Sequence, residues 1–177
     1  MHALNLEELY KEHKNLVFNL ALNYVQNVQD AEEITQDVFV TIHFSLHSFK
    51  AESKITTWIY RITINKSLDF IKARQRKKRF AFITSLFYDD SSELKHDHQV
   101  FDHPGVILEN KEATARIFKL IEQLPANQKT VLILNKIEQK SINEIAEILN
   151  MSYKAIESLL QRAKTNLALK LKSNEGY

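Results

Sequence analysis

The chain has 177 residues, a formal net charge of +2 and 44% hydrophobic content. It carries two glycines and two prolines, far below the usual shares of about 7% and 5%, so helix breakers are scarce and the composition reads as all-α. There is no cysteine, which excludes disulfides and thiolate metal sites.

No run approaches the roughly 18 apolar residues that a membrane span needs. The first twelve residues carry acids and no apolar segment, unlike a signal peptide. The expectation is a cytoplasmic protein without membrane insertion.

The first predicted helix spans Leu6 to Asn23. A second runs from Asp30 to Leu46, with Asp30 as its N-cap and acids in the first turn, where the helix dipole favours them. Ile34, Val38 and Ile42 form its apolar stripe, while Glu33, Gln36 and Asp37 fall on another face with Phe39 close by. The third helix spans Ile55 to Arg79. Its expected core positions are Ile55, Ile59, Ile62 and Leu68, and Trp58, Arg61, Asn65 and Lys66 make a mixed aromatic and cationic face. Residues 54–79 hold nine Lys or Arg against one acid, Asp69. Such a block attracts phosphate and releases counterions on binding. Aromatic rings beside cations suit unpaired bases, each stacked ring contributing about 1–3 kcal/mol. Plain core packing explains Trp58 equally well.

Residues 80–108 read as a flexible linker. They hold five acids against one lysine, three histidines (His96, His98, His103) and Pro104-Gly105, without a sustained period. Lacking cysteine and a helical frame, the histidines read as a solvated loop rather than a metal site. The chain thus divides into modules at 1–79 and 109–177.

In the second module, helices are predicted over Glu109–Gln123, Ala126–Ile137, Ser141–Leu149 and Tyr153–Lys172. Pro125 suits the start of the second of these. Ser141 and Glu144 have capping-box spacing. Ile142, Ile145, Ala146 and Leu149 form a stripe, and Asn150 tolerates the left-handed conformation that ends a helix. Ser152 restarts a helix with Ile156, Leu160, Ala163 and Leu167 on one side. Two short helices meeting at a sharp turn make a helix-turn-helix, whose second helix fits a DNA major groove. Two helices of an ordinary bundle are the plainer alternative. No phosphate-binding glycine loop, nucleophile elbow or zincin pattern occurs, so neither an enzyme nor a cofactor is expected.

Three of these segments together resemble the extracytoplasmic-function group of bacterial RNA polymerase sigma factors. Asp30 to Phe39 resembles the helix with which that family grips the β′ clamp of the core enzyme. The resemblance implies roles there for Asp30, Glu32, Glu33, Gln36, Asp37 and Phe39. Phe49 to Asp69 resembles the part that melts and reads the −10 element. It implies DNA contacts from Phe49, Lys50, Ser53, Lys54 and Thr57, and from Trp58, Arg61, Asn65 and Lys66, with base capture in the loop before the helix. Extruding a base costs a few kcal/mol, which a pocket must offset.

Leu124-Pro125, Glu144 to Leu149 and Arg162-Ala163-Lys164 resemble the domain that reads the −35 element. There the implied readers are Ser152, Tyr153, Lys154 and Glu157, with Ser158, Gln161 and Arg162. Gln139 and Asn150 stand where family members often have glycine, and Glu157 and Leu159 where basic residues are frequent. Glu157 instead suits a cytosine amine. The implied partners are core RNA polymerase, promoter DNA and, as in many relatives, an anti-sigma protein. The acidic linker is implied to run through the polymerase near the nascent RNA.

Other readings share some of these features. A free-standing helix-turn-helix regulator predicts tight duplex binding without polymerase, usually as a dimer. A protein-binding adaptor predicts indifference to charge at Lys54, Arg61 and Lys66.

Overall fold

The computed structural model describes residues 5–49, 52–87 and 111–174. Within them lie seven α-helices: α1 (Leu6–Val25), α2 (Val28–Ser45), α3 (Ile55–Phe87), α4 (Lys111–Glu122), α5 (Ala126–Leu132), α6 (Ile142–Leu149) and α7 (Tyr153–Asn174). Helices α1, α2 and α3 pack on one another, and α4, α5 and α6 gather on α7. The all-α class is therefore observed.

Local chemistry sets the boundaries. The Asn5 side chain caps α1 by accepting from Glu7 N at 3.1 Å. The helix ends where Gln26 adopts φ 55° and its N–H returns to Leu22 O. Asn27 then caps α2 by accepting from the Asp30 amide at 2.9 Å. The N-cap expected at Asp30 thus falls three residues earlier, because Asn27 makes the same bond and leaves Asp30 inside the first turn. Helix α3 runs past the expected stop at Arg79 to Phe87, since no breaker interrupts it.

The core of the first module uses Leu20, Val17, Ile34, Val38 and Ile42, all at most 1% exposed. On α3 the buried face differs from the expected one. Ile59, Tyr60, Thr63, Ile64 and Ser67 are buried, while Ile55, Ile62 and Leu68 are half-buried. Thr63 and Ser67 fit there because their hydroxyls donate to Ile59 O and Thr63 O, both at 2.8 Å. A hydroxyl satisfied within its own helix can occupy a core position.

The two modules share one continuous core, joined by a polar seam. Tyr24 Oη donates to Thr130 Oγ1 at 3.0 Å, and Lys129 Nζ donates to Tyr24 O at 2.9 Å. Glu138 accepts from Asn23 Nδ2 and Tyr60 Oη, each at 3.0 Å. Arg61 crosses from α3 to the C-terminus of α6, donating from Nε to Ile148 O at 2.8 Å and from Nη2 to Glu147 O at 2.6 Å. A guanidinium at a helix C-terminus satisfies orphan carbonyls and complements the dipole. Glu138→Ala removes two of these bonds at once. It should expand the free chain in small-angle scattering while the helix content seen by circular dichroism stays; an unchanged radius of gyration would show that Glu138 does not hold the seam.

Burial pushes the Tyr24 and Tyr60 phenols well above the usual value of 10.0, and the Glu138 carboxylate beside them adds to the rise. A raised pKa in the folded state contributes stability that is present below the unfolded value and lost as pH climbs toward the folded one. The closed arrangement should therefore weaken above about pH 10, the unfolded tyrosine value. In a spectrophotometric titration, Tyr24→Phe and Tyr60→Phe should each remove a late-titrating phenol. If all the tyrosines ionise together near pH 10 without unfolding, that attribution fails.

Candidate nucleic-acid and protein interfaces

On α2, burial of Ile34, Val38 and Ile42 turns Glu32, Glu33, Gln36 and Asp37 outward, and all four are exposed. The outward face continues with Val40, 54% exposed, and Phe44, 70% exposed. Those two residues were missed in the sequence, although they prolong the stripe through Gln36 and Asp37 at helical spacing. Two expected members of the face behave differently. Phe39 is 7% exposed and packs edge-on against Tyr10, with ring centroids 4.8 Å apart. Asp30 turns toward α3, where its carboxylate meets Arg74 at 2.6 Å with both side chains half-buried.

The loop before α3 places Phe49 on Trp58, ring centroids 5.0 Å apart and tilted by 40°. Both are half-buried, and the exposed Lys54 and half-buried Ser53 lie nearby in the chain. Lys50 is outside the described residues. Asn65 is exposed and Lys66 half-buried on the same helix. Thr57 and Arg61 are committed elsewhere. Thr57 is buried and donates to Glu147 Oε1 at 3.3 Å, and Arg61 serves α6. Helical spacing put Arg61 on one face with Trp58, Asn65 and Lys66, but nothing in that spacing showed that α6 would pack against Arg61.

The helix-turn-helix forms as its caps require. Ser141 Oγ accepts from the Glu144 amide at 3.2 Å, and Glu144 Oε2 accepts from the Ser141 amide at 2.8 Å. The Ser141 amide, and then its hydroxyl, which also donates to Glu144 Oε2 at 2.8 Å, hold the Glu144 carboxyl below its usual value. Asn150 ends α6 at φ 52° and Gln139 takes φ 53° just ahead of it, so two non-glycine residues supply the left-handed turns. Ile145, Ile156 and Ala163 are 0% exposed and Ile148 and Leu160 at most 5%, which fastens α6 to α7. The opposite side of α7 presents Ser152, Tyr153, Lys154 and Glu157, then Ser158, Gln161 and Arg162, all exposed. The ridge is polar, mixed in charge and carries one tyrosine.

Among the described residues no group of three His, Cys, Asp or Glu is placed to hold a metal ion. His96, His98 and His103 lie outside them. No described helix is long and apolar enough to cross a membrane.

Comparison with known proteins assigns both modules. Residues 9–77 match the family model "Sigma-70 region 2", and residues 114–167 match "Sigma-70, region 4". The chain is 28% identical over 164 residues to the RNA polymerase sigma-H factor of Pseudomonas aeruginosa, covering 92% of this chain and 82% of that protein. It is 27% identical to the extracytoplasmic-function sigma factor SigW of Bacillus subtilis, covering 90% and 85%. Among solved structures it is similar to CnrH in complex with the cytosolic domain of CnrY, with TM-score 0.64, 21% identity, and 95% and 88% of the two chains covered. It is also similar to the sigma factor RpoE bound to the anti-sigma factor NepR from Bartonella quintana, with TM-score 0.62, 20% identity, and 94% and 96% covered.

Proposed function

Because the chain belongs to the sigma-70 family, with regions 2 and 4 in order, we propose that it binds core RNA polymerase and directs initiation at promoters with −10 and −35 elements. The observation that carries this reading is the exposed ridge of α7 from Ser152 to Arg162 on the region 4 module, joined to a region 2 module with an acidic outward face. A ridge whose inner side is fully packed is a rigid reading head for a major groove.

The division of labour follows from the chemistry of each face. The α2 acids with Val40 and Phe44 suit a basic partner with an apolar patch, and the β′ clamp is the proposed one. Phe49, Trp58, Ser53 and Lys54 with Asn65 and Lys66 suit an unpaired strand, the rings for stacking and the cations for phosphate. On α7, Glu157 suits the cytosine N4 amine, and Gln161 and Arg162 suit base edges or phosphate. Binding energy would drive strand separation, and the chain catalyses nothing in this reading. Arg61 and Thr57 reach DNA only after the seam opens, which makes opening a step on the route to the promoter. An anti-sigma protein is proposed as a further partner, on the likeness to the RpoE relative.

The test adds the purified chain to core polymerase with a promoter library and scores specific transcripts. Specific initiation is the expected result; silence together with no binding to the core enzyme rejects the proposal. Tight duplex binding without polymerase would favour a free-standing regulator. On holoenzyme, promoter affinity should fall with rising salt, and Lys66→Ala should lower the slope by about 1. An unaltered slope would remove Lys66 from the phosphate contacts.

A further inference from the structure

Lys129 is 5% exposed, yet its ammonium has a single oxygen acceptor among the described residues, the carbonyl of Tyr24. An ammonium carries three donors, and a buried charge left without a counter-ion is costly. The Tyr24 ring lies with its centroid 5.5 Å away, and Glu122 acts on the ammonium electrostatically without a hydrogen bond among the described residues. Burial draws its pKa below the usual lysine value. Within the seam Lys129 makes one bond, to the Tyr24 carbonyl, which leaves two of its three donors without an acceptor among the described residues.

Lys129 lines a cavity of about 380 Å³ along the seam. Helix α3 contributes Arg74 and Lys78 to its lining, and α4 contributes Lys119. Val25, Phe70 and Ile71 supply apolar surface. A second cavity of about 300 Å³ shares Lys119 and adds Arg116, extending the cationic lining along α4. Two carboxylates belong to this neighbourhood. Asp30 is held by Arg74, and Glu122 lines the cavity and acts electrostatically on Lys129. Lys78 and Lys119 are exposed and have no ion-pair partner among the described residues.

We propose that this seam cavity binds an oligophosphate, either free or as the phosphate tail of a nucleotide. A single carboxylate would satisfy one cation and leave the others. Arg74 and Lys78 from α3, Lys119 from α4 and the buried Lys129 in one lining call for several anionic groups in a row. The volume lies within the range of small-ligand sites. Since α3 belongs to one module and α4 and α5 to the other, the site is complete only while the modules are closed. A ligand that binds only the closed form stabilises it by mass action. On the sigma-factor reading, such a ligand would hold the chain away from polymerase; the site itself does not depend on that reading.

The experiment is calorimetric titration of the full chain at physiological salt, with sodium tripolyphosphate and, separately, a nucleoside triphosphate. Saturable binding to either is expected, with a parallel rise in Tm. Equal affinities identify the phosphates as the recognised part, and tighter nucleotide binding brings in the Phe70 and Ile71 surface; both orders support the site. Lys119→Glu, an exposed change that leaves the fold intact, should weaken binding by at least about tenfold. Lys129→Met keeps the buried stem and should weaken binding similarly while raising the Tm of the unliganded chain. Absence of saturable binding to both probes overturns the proposal, as does undiminished affinity in Lys119→Glu. Because the readout is binding alone, its failure leaves the transcriptional reading untouched, and the reverse also holds.

Discussion

Ile156→Ala is expected to lower the unfolding free energy by about 2–5 kcal/mol, the range for removing a fully buried aliphatic side chain to alanine. Ile156 is 0% exposed at the junction of α6 and α7, in the same core as Ile145, Ile148 and Leu160. Helix α6 has eight residues, too few to persist without packing. Its capping box and the Asn150 turn define its ends but do not hold it against α7. Loss of the Ile156 side chain therefore threatens the backing of the whole recognition ridge, and −35 binding should fall with it. Denaturant unfolding checks the magnitude. Leu169→Ala is the control, since Leu169 is 61% exposed and its truncation should stay within about 0.5 kcal/mol. Equal midpoints for the two variants would contradict the packing of α6 on α7.

The second large effect is expected on α2. Glu33→Lys with Asp37→Lys should weaken association with core polymerase by at least about 100-fold, because reversing charges inverts the complementarity of an interface as well as removing it. Both residues are exposed, so the change in Tm should be small. Reversing the exposed Glu8 instead serves as a control of like chemistry. If the double variant binds the core enzyme as the parent does, the acids of α2 only solvate the helix, and the polymerase-facing surface lies elsewhere.

These two experiments address separate halves of one molecule, and the seam connects them. Arg61 is the clearest instance. In the closed chain its guanidinium caps α6 at 2.6 and 2.8 Å, so one side chain cannot serve the seam and a DNA strand together. Thr57, tied to Glu147, is in the same position. Module closure thus withdraws residues from the proposed −10 face while the α7 ridge and the α2 acids stay outward.

Much of this was legible in the order of residues. Helical spacing predicted the buried stripes of α2 and α7, and Ser141, Glu144 and Asn150 marked the start and stop of α6. Those features depend on neighbours within about four positions, where backbone hydrogen bonds and caps set the conformation. The exposure of the ridge from Ser152 to Arg162 followed from the same period. Phe39 shows the limit, since an aromatic side chain near an exposed face turned inward once Tyr10 of α1 offered an edge-to-face partner.

By itself the sequence determined the all-α class, the helix-turn-helix and the kinship of both modules, because composition, capping and helical period are local and survive any placement of the helices. Tertiary structure alone decided which α3 residues are core, that Tyr24, Lys129 and Glu138 knit the modules together, and that Arg61 is occupied. Those contacts join residues about 80 to 115 positions apart. Their energies depend on burial and on distances of about 3 Å, and no spacing along a single chain encodes either.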